Sequence, residues 1–171
     1  HLHRTLTTVM VCLFVAHFIK ARPVPQLADT TVCNAYMDSI GLYSYRYDAN
    51  DSLRYFAQKV FDCSEALGDV DGQMEALSVL GVTCIRANNF QEALDFFERN
   101  RQMAITAGNK LVEAQVLINV GSVYTALDSS KRAMEVLMQS AKIFEEQKDS
   151  NMLMYTYTNI GILFGKIRER G

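Results

Sequence analysis

Four glycines, Gly41, Gly81, Gly121 and Gly161, stand 40 residues apart, and this spacing constrains the fold more than any other feature. Each follows a branched aliphatic residue: Ile40, Leu80, Val120 and Ile160. Met37, Leu77, Leu117 and Tyr157 precede the glycines by four positions, and Ser44, Cys84, Tyr124 and Phe164 follow them by three. Twelve positions beyond come Leu53, Ala93 and Ala133, and each period closes on a polar turn: Gly68-Asp69, Gly108-Asn109, Lys148-Asp149. Fixed-period self-similarity of this length marks a stack of small repeated units, each unable to bury its apolar side alone.

Within a period, apolar residues recur at helical spacing. In the third period Val116, Leu117, Val120, Val123 and Tyr124 mark a helix over Val112–Ala126. Asp128, Ser129 and Ser130 then break the chain and are expected to cap a second helix over Lys131–Gln147. In the second period Asn89 is the expected N-cap, with Glu92 three residues on. Only two prolines occur, Pro23 and Pro25, so nothing after them forbids long helices. A mid-helix glycine costs about 1 kcal/mol relative to alanine. Four at one register position therefore predict a shared cause, the close approach of a paired helix. These observations predict an all-α chain. Residues 30–171 are read as an array of about three and a half hairpins (30–69, 70–109, 110–149, 150–171).

The spacing Leu77-x-x-Leu80-Gly81-x-x-Cys84 followed by Ala93-x-x-x-Phe97 resembles the tetratricopeptide repeat. Leu117-x-x-Val120-Gly121-x-x-Tyr124 followed by Ala133-x-x-x-Leu137 resembles it more closely. The period is longer than the common one of about 34 residues. Turns such as Ala66–Asp69 and Ala107–Lys110 make the chain similar to the extended repeats of LGN/Pins-type adaptors. The resemblance implies a right-handed superhelical solenoid of antiparallel hairpins whose first helices line a concave face that holds an extended peptide. The function it implies is that of a protein–protein interaction adaptor, not an enzyme. The alternative is a regulatory region of a larger protein with its catalytic domain elsewhere.

Positions two before, one after and five after each glycine share one helical face. On that line lie Asn119, Ser122 and Ala126 in the third period, and Asn159, Ile162 and Lys166 in the fourth. Arg86 and Arg46 hold the last position in the second and first. Asparagine can both donate to and accept from a peptide backbone, and arginine can fork onto a carboxylate. The expected groove residues are therefore Asn119, Asn159, Arg86, Arg46, Lys166 and Ser122, and the expected partner is a protein or peptide, acidic or mixed in charge.

Other chemistry finds little support in the residues. The net charge of -2 argues against a general nucleic-acid binder. All three histidines fall within the first 17 residues, which leaves no histidine triad or metal set in the repeats. No catalytic residue, metal or cofactor is expected. Gly161–Lys166 loosely resembles a phosphate loop but lies in an expected helix. The four cysteines lack metal-type spacing and read as buried free thiols rather than bridges, favouring a reducing compartment. Residues 1–29 include an apolar stretch, Thr5–Ile19, short for a membrane span and read either as a signal or as a degenerate repeat helix. A start at His1 rather than Met suggests a piece of a longer protein or a processed one. The expected location is the cytoplasm, with secretion or membrane targeting if Thr5–Ile19 acts as a signal. Self-association through uncovered array ends is a further expectation.

Overall fold

The computed structural model describes residues 30–169; the apolar N-terminal segment, with Cys12 and the three histidines, lies outside the described residues. Among the described residues seven α-helices follow one another: α1 (Thr30–Tyr43), α2 (Asn50–Leu67), α3 (Val70–Arg86), α4 (Phe90–Thr106), α5 (Lys110–Ala126), α6 (Ser130–Glu146) and α7 (Ser150–Arg168). A short 3-10 turn, Tyr47–Ala49, precedes α2. Among the described residues there is no strand. Each helix packs on its chain neighbours, and α5 also touches α3 and α7, so the molecule is an all-α solenoid of stacked hairpins.

The turns repeat as strictly as the helices. Residues with positive φ occur every 20 positions: Gly68 (69°), Asn88 (57°), Gly108 (69°), Asp128 (59°) and Lys148 (58°). Each is a left-handed residue that ends a helix, and the amide of the next residue reaches back to a carbonyl in the last turn, as Asn89 N–H does to Cys84 O at 2.8 Å. Glycine bears this conformation without Cβ strain, and Asn and Asp tolerate it through short polar side chains. Lys148 has neither advantage.

The caps differ from expectation. Asn89 and Ser129 hold the N-cap positions of α4 and α6, but neither side chain accepts a capping bond. Asn89 instead donates to the Glu92 carboxylate at 2.6 Å. Side-chain caps sit at the start of α3, α5 and α7, where Asp69, Asn109 and Asp149 accept from Gly72, Val112 and Met152 N–H at 3.0, 3.1 and 3.0 Å. Before α2 the cap position is Ala49, and Asn50 is already helical, its amide donating to Thr83 O at 3.0 Å.

The glycines divide into two pairs. A Cβ on Gly81 would collide with the Phe97 ring, and one on Gly121 would lie 2.7 Å from Leu137. Phe97 and Leu137 are fully buried, so the close approach expected of all four glycines holds in the two central hairpins. Gly41 and Gly161 have no atom within 4 Å of that position. The reason for Gly41 is plain in the register: Ala57 stands where Phe97 and Leu137 stand 40 and 80 residues later. A second recurring contact joins the same hairpins. Buried Asn100 of α4 donates to Met74 O at 2.9 Å, and buried Ser140 of α6 donates to Ala114 O at 2.8 Å.

The cysteines correct the free-thiol reading. Cys33 of α1 and Cys63 of α2 form a disulfide with a Cα–Cα distance of 5.8 Å, within the range a bridge requires. An antiparallel hairpin brings the early first helix beside the late second helix, which linear spacing does not reveal. Cys84 is a buried free thiol, as expected of all four. Burial pushes its pKa up, against the opposing effect of the Arg54 guanidinium, whose Nη1 donates to Sγ at 3.1 Å.

Candidate functional site

Successive first helices touch only lightly, which leaves two recesses between them. The larger, about 500 Å³, opens between α3 and α5 and is lined by Asp71, Glu75, Ser78, Val79, Val112 and Gln115, among others. The smaller, about 230 Å³, lies between α5 and α7 over Leu137 of α6 and is lined by Ser122, Thr125, Asn159 and Ile162. Two of the residues expected in a groove, Ser122 and Asn159, thus come together from adjacent repeats. Their polar atoms are partly engaged along their own helices. Ser122 Oγ donates to Ile118 O at 3.1 Å, and Asn159 Nδ2 donates to Tyr155 O at 2.9 Å. Asn159 Oδ1 remains to accept from a ligand. Asn119 is half-buried on α5 and lines neither recess.

The three basic residues are occupied elsewhere. Arg86 Nη2 donates to Ser44 O at 2.6 Å, where α1 ends. Lys166 Nζ donates to Thr125 O at 2.8 Å, near the end of α5, and lies 3.5 Å from Asp128. At this one register position a cation therefore meets a carbonyl at the end of the preceding first helix, where positive charge complements the helix dipole; Thr125 O also accepts from Asp128 N–H at 3.3 Å. Arg46 lies past the end of α1, in the loop before the 3-10 turn, and pairs with Asp48 at 3.0 Å. It therefore does not share the helical face on which the sequence spacing placed it.

Asp71, Glu75, Val112 and Gln115 were not among the expected groove residues. The positions two before, one after and five after Gly81, namely Val79, Val82 and Arg86, cover only the C-terminal half of α3. Continued the other way by helical spacing, this stripe passes through Glu75 and Asp71. The signal lies in the N-terminal half of the same helix face.

Elsewhere, Arg54 of α2 donates through Nη2 to Glu92 of α4, which holds the Glu92 carboxyl below the ordinary carboxylate range. Among the described residues no cluster of His, Cys, Asp and Glu could hold a metal ion, and no helix is long and apolar enough to cross a membrane.

The geometry defines a helical-repeat protein with clefts between its first helices. Residues 73–146 match the tetratricopeptide repeat family, covering the two central hairpins that carry the filled glycine contacts. No curated protein matches the chain. Among solved structures it is similar to the apo form of RapI, with 15% identity and a TM-score of 0.72 over 96% of this chain and 58% of that one. It is also similar to BtubC (BKLC) from P. vanneervenii, with 15% identity and a TM-score of 0.67 over 95% of this chain and 65% of that one. At such identity the likeness is one of fold, and the chain spans less than two thirds of either structure. The match and the fold together support a protein-interaction module in general, of a fold type that is typically non-catalytic.

Proposed function

We propose that this chain is an adaptor that holds an extended segment of a partner protein along the clefts between its first helices. The observation that carries the reading is the meeting of Ser122 from α5 and Asn159 from α7 in one recess of about 230 Å³, flanked by Ile162. A recess shared by two repeats, with hydroxyl and amide groups at an apolar wall, suits a peptide backbone lying across the stack. Asn119, half-buried on the same helix as Ser122, is kept in the proposed polar set on its register position alone, three residues before Ser122. An acidic partner remains an expectation of the sequence: Arg86 and Lys166 donate to backbone carbonyls of the fold, while Arg46 is exposed and pairs with Asp48.

The 40-residue period and the Ala66–Asp69 turn support an extended-repeat adaptor of the LGN/Pins type. The exposed apolar residues Met154, Tyr157 and Phe164 of α7 support self-association through that helix.

A pull-down with the full chain supplies a partner, whose bound segment is then made as a peptide. Asn119→Ala combined with Asn159→Ala is expected to weaken that peptide about tenfold, in line with about 1.4 kcal/mol for lost polar contacts. Unchanged affinity in the double variant would remove these residues from the groove.

A further inference from the structure

We propose that the cleft between α3 and α5 selects a partner segment that places a lysine or arginine against Asp71 and Glu75, with a small apolar residue over Val79 and Val112. This rests on the reading of the first-helix clefts as the binding groove and adds to it the sign of the partner's charge.

Three observations converge on it. The first is shape: at about 500 Å³ this cleft falls in the range of ligand-holding pockets and exceeds the α5–α7 recess. The second is charge with no side-chain partner, although Asp71 stands in the first turn of α3, where the helix dipole favours an acid. Among the described residues no ion-pair or hydrogen-bond partner meets the side chain of Asp71 or Glu75, and no basic residue lines the cleft. The two carboxylates lie four residues apart on one helical face, where like charges repel, and a cation laid between them relieves that repulsion. The third is position. The equivalent residues are Thr31 and Ala35 in α1, Leu111 and Gln115 in α5, and Asn151 and Tyr155 in α7, all uncharged. The acids are therefore not a solvated stripe repeated along the array; they belong to this cleft alone.

The floor sets what accompanies the cation. Val79 and Val112 are half-buried, and Gln115 stands exposed beside Glu75's cleft with its amide free to meet a peptide backbone. Asn109, which also lines the cleft, accepts from Val112 N–H through Oδ1 and keeps its amide group to donate to a carbonyl. An extended strand, whose side chains alternate, presents its cation and its apolar residue on the same side at i and i+2.

The test is a selection of displayed random twelve-residue segments against the full chain at low salt, repeated against three variants. The expected result is enrichment of segments bearing Lys or Arg two positions from an apolar residue. Their affinity should fall about tenfold in Asp71→Asn/Glu75→Gln, fall with added salt, and vanish in Val79→Arg, which plugs the cleft. Both acids and Val79 are at least partly exposed, and circular dichroism confirms that each variant folds. Enriched segments blocked by Val79→Arg but indifferent to Asp71→Asn/Glu75→Gln overturn the charge assignment and leave the groove reading standing. Segments insensitive to Val79→Arg and to Asn159→Arg, or no enrichment at all, overturn both.

Discussion

The two central hairpins and the two outer first helices carry the same glycine in the same register, yet it does different things in each. In α3 and α5 the glycine is a seat: the Phe97 ring and the Leu137 side chain occupy the space a Cβ would take. In α1 and α7 it is an open position. The same contrast runs through its neighbours. Leu77 and Leu117 are buried, while their counterpart in α7, Tyr157, is 52% exposed. The first hairpin, whose Ala57 cannot fill the glycine notch, is tied by the Cys33–Cys63 bridge instead. A repeated sequence signal thus reports a shared architecture without guaranteeing a shared local cause.

This contrast can be broken most sharply at Phe97. Phe97→Ala should cost about 3–5 kcal/mol, because a fully buried ring is lost from the α3–α4 seat. Denaturant melts would show it; a loss below 1 kcal/mol would mean the seat contributes little. Next is the bridge. Reduction, or Cys63→Ser, should destabilise the first hairpin by about 3–4 kcal/mol in the chain-entropy account for a separation of 30 residues. Hydrogen exchange should then quicken in α1 and α2 and stay unchanged in α5 and α6. Equal quickening throughout would show that the hairpins do not behave as separate units.

The glycines themselves give opposite signs. Gly81→Ala should cost about 1–3 kcal/mol through overpacking against Phe97. Gly161→Ala, with open space around it, should gain up to about 1 kcal/mol from helix propensity. Two losses or two gains would erase the distinction. The smallest expected effect is a pH dependence at Arg54–Glu92. Glu92 titrates lower folded than unfolded, so the pair stabilises above the ordinary carboxylate pKa, and that contribution fades as pH falls through the depressed value. Both side chains are more than a third exposed, so less than about 1 kcal/mol is at stake. The acid limb of the stability profile should flatten in Glu92→Gln; an unaltered limb would show that the pair contributes nothing measurable.

Much of the fold was legible because helical periodicity and the 40-residue interval describe local chain behaviour, which linear sequence records directly. The helices read as Val112–Ala126 and Lys131–Gln147 appear as Lys110–Ala126 and Ser130–Glu146. What escaped the reading depends on contacts across the stack. Arg86 and Lys166 share a register position and a charge, which suggested a ligand. Only the packing of α3 on α1 and of α7 on α5 reveals the carbonyls they serve. Cys33 and Cys63 meet through an antiparallel turn that residue counting does not see. Capping was misplaced for a subtler reason. Asn89 and Ser129 have suitable side chains, but the hydrogen bonds went to the turns between repeats, where Asp69, Asn109 and Asp149 stand.

The left-handed residues at 68, 88, 108, 128 and 148 also determine where this chain can tolerate change in length. An extra residue inside a helix rotates everything after it by about 100°. That single slip would turn the oily faces outward and scatter the clefts. An extra residue beside one of these reversal points leaves the phase of both flanking helices intact. Grafts, tags and natural indels should therefore survive at 20-residue intervals and fail between them, which makes the turns the array's natural joints for engineering.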